Sequence, residues 1–474
     1  VVLTVAYLAN QFPSPVEPYI ADEIAELRRR GVRVISGSVR QSRTQPADRI
    51  PANRRPVAAD GSAAAIVLQP LRVAVLMQGL SLCLRRWKRI SPLLGRIVFR
   101  GRENPVQRVK ALLHTWLGAC YAVRLSGARV EHIHAHHGYF GAWVALTAAR
   151  LLDVGFSMTL HGSDLLQHAT YLDVKLENSN FCLTVSEYNR RFILDHYPGI
   201  QKQKVLVSRL GVEIDARFQV SSRTPRDRFT LIAVGRLHRV KDHAFLVRAC
   251  AQLRAAGIGF ECQIAGDGPE RRRLESLIRK YSLEKYVTLL GHVPRDQMDS
   301  LYQRADVVVL TSRSEGIPLV LMEAMARAKI VLAPAITGIP ELVSRGRNGF
   351  LYEAGSQADF VSRLRFIHSL QLQTAGQRRR PSDVLSTRPL DWMRHAAQVQ
   401  VRHNFNCKKN LESFAGLFIE RVTAQIGGVR RENPVLQQIQ LSFQRHRGLP
   451  FRTDGTPAFA GTRGRTVLHG ESAG

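Results

Sequence analysis

Short apolar runs of strand length alternate with longer stretches of helical periodicity along almost the whole chain, and no other feature narrows the fold so far. That alternation is the pattern of strands joined by crossover helices, which sets neighbouring strands parallel and buries them between helical layers. In the first part of the chain, residues 1–8, 32–36, 132–134, 157–160, 182–185 and 204–207 read as strands. A second series follows the polar linker 221–228, at 229–234, 261–265, 287–290, 307–310, 329–333 and 349–352. The expected organisation is two doubly wound α/β domains, residues 1–215 and 216–387, followed by helices over 388–427. Residues 428–474 have no sustained periodicity and read as a disordered tail. Residues 63–124 form a helical, Leu-, Val- and Arg-rich insertion in the first domain.

Charge limits the partners. The 474 residues include 68 Lys and Arg against 38 Asp and Glu, a net +30, while 45% are hydrophobic. A hydrophobic share of that size excludes a wholly disordered polycation, and the positive excess favours nucleic acid, anionic lipid or phosphorylated small molecules. The six cysteines include no CxxC pair, so they are read as reduced and structural, with no zinc site. The opening VVLTVAYLANQFP lacks a basic segment and reads as a buried strand. The longest apolar stretch, 63–84, is broken by Gln69, Pro70, Arg72 and Gln78, so no spanning helix is predicted and the expected compartment is the cytoplasm.

In open parallel sheets ligands sit at the carboxyl ends of the strands. After 229–234 comes Gly235-Arg236-Leu237-His238-Arg239-Val240-Lys241, where a small residue admits a ligand to the backbone and Arg236 and Lys241 can hold phosphate oxygens. After 307–310 comes Ser314-Glu315-Gly316-Ile317-Pro318-Leu319, opening the helix LVLMEAMA with Pro318 in its first turn. The amides around Ile317 and Leu319 make an anion site there. Glu315 and Glu323 bracket it, with carboxylates on the order of 10 Å apart, a span suited to a ligand with hydroxyls at both ends and phosphates between them. Glu323, in an apolar helix expected to be buried, needs polar partners that ribose hydroxyls would supply.

The array GRL…K, AGDGPE, LGHVP, EGIPLVLMEAMA, TGIPE and NGFL resembles the retaining glycosyltransferases of family 4. The first domain, in VEHIHAHHGYFGAWVALTAARLLDVGFSMTLHGSDL and YLANQFPSPVEPYIADEIAELRRRGV, is similar to their exopolysaccharide and colanic-acid branch. The resemblance implies the GT-B fold: two facing Rossmann-like domains with the active site in the cleft between them. It implies a metal-independent, retaining hexosyltransferase that takes a UDP- or GDP-sugar as co-substrate and needs no cofactor. In that scheme Glu323 holds the ribose and Arg236 and Lys241 hold the diphosphate beside Gly235. Glu315 with Gly316, Ile317, Pro318 and Leu319 holds the sugar hydroxyls and phosphates. Val293 meets the nucleobase, and His161 faces the sugar from the opposite domain. Glu17, His134 and His136 are acceptor-side candidates, the acceptor being a glycan or lipid-linked saccharide.

Three positions depart from the family pattern: Asp242 follows Lys241 where Gly is usual, Ile339 replaces the second Gly of a GG-x-PE turn, and Phe12-Pro13-Ser14-Pro15 stands in place of a Gly-rich loop. His132, His134, His136 and His137 invite a metal, yet a strand alternates its faces and no second ligand cluster accompanies them, so none is expected. The apolar and basic mixture in 63–124 fits an interfacial helix on the inner face of an anionic membrane, or an amphipathic helix packed on its own domain. A nucleic-acid binder lacks support beyond charge, and a dehydrogenase would need a G-x-G-x-x-G that neither first strand precedes. A non-catalytic relative stays open because of Asp242.

Overall fold

The structure, a computed structural model, describes residues 2–14, 17–40, 65–68, 71–100, 103–167, 170–215, 228–375 and 389–426. The tail expected from residue 428 lies outside them, as does most of the linker 221–228. The strands are β1 (Thr4–Gln11), β2 (Arg33–Arg40), β3 (Ile66–Val67), β4 (His132–His136), β5 (Gly155–Leu160), β6 (Phe181–Thr184), β7 (Val205–Val207), β8 (Phe229–Val234), β9 (Phe260–Ala265), β10 (Val287–Gly291), β11 (Val307–Val309), β12 (Ile330–Pro334) and β13 (Phe350–Tyr352). Helices α1 (Pro18–Arg29), α2 (Val73–Arg85), α3 (Trp87–Val98), α4 (Pro105–Leu125), α5 (Phe140–Leu152), α6 (Ser163–Leu166), α7 (Leu172–Asn178) and α8 (Glu187–His196) belong to the first domain. Helices α9 (His243–Ala255), α10 (Arg271–Lys280), α11 (Met298–Arg304), α12 (Leu319–Ala326), α13 (Ile339–Leu342) and α14 (Gln357–Ala375) belong to the second, and α15 (Pro389–Asn404) and α16 (Cys407–Gln425) close the described chain.

Both sheets are parallel, in the orders β3-β2-β1-β4-β5-β6-β7 and β10-β9-β8-β11-β12-β13. Each order reverses once, at β1/β4 and at β8/β11, and at such a reversal the flanking loops diverge and leave a crevice at the carboxyl edge. Period-two side-chain alternation explains why so many strand residues are apolar. In the second sheet Leu231, Val307, Val309, Ile330 and Leu332 enter one core, while Ile232, Val308, Val331 and Ala333 enter the other. Strands buried on both faces read as near-continuous Val, Ile and Leu.

Three details differ from the sequence reading. The insertion contains β3, a two-residue strand on the sheet edge paired to Gly37 and Ser38, too short to leave a periodic trace. Its helix α4 is the crossover that returns the chain to β4; Gly118 lets it press onto α5, where a Cβ would stand 2.5 Å from Thr147. Pro318 is the N-cap of α12, with extended backbone, rather than a first-turn residue.

The two interdomain crossings run side by side. Val212 N–H donates to the Phe405 carbonyl at 2.9 Å, and Cys407 N–H donates to the Val212 carbonyl at 3.0 Å. Helix α15 packs on α12, and α16 then returns to α1, with Phe418 against His134 and Phe181 of the first domain. All six cysteines are unpaired.

Candidate active site

The loops that leave the second sheet at its reversal carry the cations and one of the acids. After β8, Gly235 starts a loop pressed onto the Gly266-Asp267-Gly268 turn. A Cβ on Gly266 would lie 2.0 Å from the Gly235 carbonyl oxygen and one on Gly268 2.4 Å from that of Leu237. Both glycines have positive φ, so two constraints demand Gly at each. Arg236 is exposed. Lys241 ends the loop, and its Nζ donates to Glu315 at 2.5 Å. Asp242 adopts the left-handed conformation (φ 44°) that Gly would occupy, caps α9 by accepting from Phe245 N–H at 3.3 Å, and has its charge met by Arg313 at 2.7 Å. The departure at this position therefore leaves the turn intact. His243, the next residue, is buried, and burial brings its imidazole down to about 4.

After β11, Glu315 and Gly316 meet the first domain. A Cβ on Gly316 would fall 2.2 Å from the His161 carbonyl oxygen, and one on Gly162 would fall 2.9 Å from Gly316 N. Thr337 Oγ1 donates to the Glu315 carbonyl at 2.6 Å, and Gly338 approaches the Gly316 carbonyl so closely that a Cβ would lie 2.4 Å away. Counted back from Pro340-Glu341, Gly338 stands at the second Gly of GG-x-PE, the fully buried Ile339 at x, and Thr337, with left-handed backbone (φ 46°), at the first Gly, so the departure falls on Thr337 rather than on Ile339. Ile317 and Pro318 are buried, and Leu319 is partly so. Glu323 is half-buried, not fully buried as expected, and Tyr302 Oη donates to it at 2.8 Å, so the protein itself supplies one of the partners a carboxylate needs there. Val293 lies in the loop after β10, half-buried against the second core.

On the facing domain the carboxyl ends of β4 and β5 bring histidines together. His161 Nε2 lies 2.6 Å from His136 Nε2, and His136 Nδ1 lies 3.1 Å from Tyr7 Oη. His137 sits between two carboxylates, with Nε2 2.8 Å from Glu17 and Nδ1 3.5 Å from Asp164. Burial works against charge on His137, but these partners raise it to about 10. Burial likewise works to raise Asp164 and Glu17, and His137 outweighs it, holding both low. Asp164 also accepts from the backbone N–H groups of Gly138, His161 and Gly162 at 2.8–3.1 Å, fixing the β5 loop. Burial brings the Lys175 ammonium, whose Nζ donates to the Gly138 carbonyl at 2.6 Å, down to about 7.

His134 does not reach a surface. It is fully buried, Ser157 (2.8 Å) and Thr159 (3.0 Å) use both its nitrogens, and it packs on Tyr7 and Phe418. An acceptor role for its side chain is therefore withdrawn: two residues earlier than His136 on the strand, it lies within the sheet rather than at its carboxyl edge. The ring nitrogens of His136, His137 and His161 lie within 4.8 Å of one another, a grouping the alternation argument missed because His137 and His161 come from loops beyond the strand ends.

The two faces also touch through groups the sequence did not single out. Glu341, at α13, accepts from the N–H groups of Glu187 (3.1 Å) and Tyr188 (2.7 Å) at the start of α8, and pairs with Arg209 at 3.2 Å. Its position in TGIPE was the only signal. The Tyr139 hydroxyl, raised by burial and joined to Ser163 at 2.5 Å, feels the charge of Arg236 from the facing domain.

Residues 215–381 match the family model of glycosyl transferases group 1. Among curated proteins the chain is similar to WcaL of Escherichia coli, named for colanic acid biosynthesis, at 31% identity over half of this chain and 61% of that protein. WcaL of Salmonella typhimurium is 36% identical over 35% of this chain and 42% of its own length. The chain thus spans about half the length of these relatives. Among solved structures it is similar to sucrose-phosphate synthase of Thermosynechococcus elongatus, with TM-score 0.64 and 17% identity over 89% of this chain and 100% of that one. HepE of Anabaena in complex with UDP gives TM-score 0.59 and 17% identity over 88% and 100%. At these identities the likeness is one of fold, and the fold is GT-B. The group 1 segment contains the Gly235 loop, Glu315 and Glu323.

Proposed function

We propose that the chain moves a hexosyl unit from a UDP- or GDP-sugar to a hydroxyl of a glycan or lipid-linked saccharide in exopolysaccharide synthesis, with retention and without a metal. The observation that carries this reading is the junction of Lys241, Glu315 and the amide end of α12 with the His161–Gly162 backbone across the cleft. Arg236, Lys241 and the free amides of that end are suited to the charge that develops on a departing diphosphate, where fixed donors act most strongly. The C1–O bond to phosphate breaks as the acceptor oxygen bonds C1 on the same face, and the acceptor proton passes to the leaving phosphate. Nucleoside diphosphate and glycoside are the products.

Two further features support the partners. HepE carries UDP in its complex, and WcaL is named for an exopolysaccharide pathway. For the membrane, α2 and α4 expose Val73 (74%), Met77 (60%), Leu84 (65%) and Leu113 (56%), an apolar surface with Arg72, Arg85 and Arg86 beside it. That combination suits attachment to an anionic inner leaflet. Arg89 and Arg96 of the same segment pair with Asp153, Glu103 and Asp173, so they serve the fold. No helix among the described residues is long and apolar enough to cross a membrane.

The test uses Glu315→Ala. Transfer should fall at least on the order of 10²-fold, while the stabilisation of the folded chain by UDP or GDP, read as a thermal shift, persists. Full turnover in this variant would overturn the assignment.

A further inference from the structure

Behind His161 stands a run of polar side chains that the reaction above does not use. Tyr7 Oη is hydrogen-bonded to the carboxyl of Glu23 and lies 3.1 Å from His136 Nδ1, and His136 Nε2 lies 2.6 Å from His161 Nε2. Glu23, Tyr7 and His136 are fully buried or nearly so. Tyr19 covers the end of the run, its ring 5.5 Å from that of His136 and 5.0 Å from that of His161. Two nitrogens sharing a tetrahedral metal at 2.0–2.1 Å would stand about 3.3 Å apart, so the 2.6 Å between His136 and His161 is a hydrogen-bond distance.

Each link in this run has one hydrogen to share, and a buried run must satisfy every link. With Glu23 ionised, Tyr7 donates to the carboxylate, His136 Nδ1–H donates to Tyr7, and His161 Nε2–H donates to His136. His161 Nδ1 is then a bare acceptor. With Glu23 protonated, its O–H donates to Tyr7, Tyr7 donates to His136 Nδ1, and His136 Nε2–H donates to His161 Nε2. His161 must then carry its hydrogen on Nδ1. One proton added at Glu23 reverses three hydrogen bonds, and both imidazoles stay neutral throughout.

We infer that Glu23, Tyr7 and His136 are positioning residues whose shared hydrogen-bond direction sets whether His161 presents a donor or an acceptor at Nδ1 to a ligand in the cleft. The use of this switch in sugar transfer rests on the function proposed above; the switch itself does not. Burial raises Glu23 to about 8 against the Tyr7 hydrogen bond and the His137 charge, which puts the change near working pH. Burial, with the charge on His137, keeps His136 and His161 neutral. Among the described residues, the titratable groups around Glu23 include Tyr7 of β1, His136 at the end of β4, His137 in the loop just beyond it and Tyr19 of its own helix. Helix α16, which also packs on α1, brings Glu412 to Arg29 further along.

The experiment is the ¹⁵N spectrum of histidine-labelled protein from about pH 6.5 to about pH 9.5, a range bracketing the usual histidine value and the raised Glu23, with His161 assigned by its loss in His161→Asn. His161 should carry hydrogen on Nδ1 at the low end and on Nε2 at the high end, with a midpoint of about 8. In Glu23→Gln the tautomer should not change with pH. A wild-type tautomer constant over this range, or a Glu23→Gln protein that switches as wild type does, overturns the inference. The wild-type measurement needs no variant to fold, and it reads the switch even if no nucleotide-sugar is turned over. Where transfer is found, kcat should step with the same midpoint in wild type and lose that step in Glu23→Gln, with KM for the donor little changed.

Discussion

At the scale of single residues, the cleft edge of the first domain is a charge arrangement that fixes pH behaviour. His137 is raised to about 10, so the folded chain holds a proton that an unfolded histidine releases near 6.5. Its contribution is complete below that value and is lost as pH rises towards about 10. Glu23, raised to about 8, acts in the same direction up to that pH. His132, His134, His136 and His161 are lowered by burial, so unfolding takes up protons below about 6.5 and stability also falls on the acid side. Lys175, lowered to about 7 by burial, gives up a proton on folding and opposes His137 above that pH, so melting temperatures should rise from acid pH to about neutral and change little from there to about pH 9. His137→Gln should cost on the order of 3–5 kcal/mol at neutral pH, since it strands the buried Asp164 and the half-buried Glu17, and the deficit should shrink as pH rises towards about 10. Melting curves of wild type and variant across pH check both statements.

At the scale of elements, close packing depends on a few glycines. Gly118→Ala would place a methyl group against Thr147 and the Val144 carbonyl, at 2.5 and 2.8 Å, between α4 and α5. A cost of about 1–3 kcal/mol follows, measurable by urea unfolding at unchanged slope. The strands were legible because burial on both faces of a parallel sheet demands continuous apolar runs, and the Glu315 loop and the start of α12 with Glu323 were legible because a Gly- and Pro-marked turn opens an otherwise apolar helix there. The chain from Glu23 to His161 was not. Its members come from α1, β1, β4 and the loop after β5, and only packing brings them together. β3 escaped because two residues carry no period. Asp242 read as a possible defect because a sequence does not show that Asn- or Asp-like side chains can take a left-handed turn and cap the helix it opens.

At the scale of the whole molecule, the +30 charge separates into parts. Arg89, Arg96, Arg313 and Arg327 are held in ion pairs with their own fold. Lys241 is engaged with Glu315, and Arg236 extends from the cleft loop. The apolar surface of α2 and α4 is the part whose effect should be visible outside the cleft. Vesicles rich in anionic lipid should sediment the protein at about 0.15 M salt, and Leu84→Glu, at a position 65% exposed, should weaken that binding without lowering the melting temperature. Equal binding by both proteins would assign attachment elsewhere.

The paired crossings at Val212 and Phe405–Cys407 bear on how such a molecule moves. Because these two segments are bonded to one another along a short line, any displacement that slides one past the other has to break both backbone bonds. The His161–Gly316 contact, being close-packed backbone, leaves the two faces no room to approach further at that point.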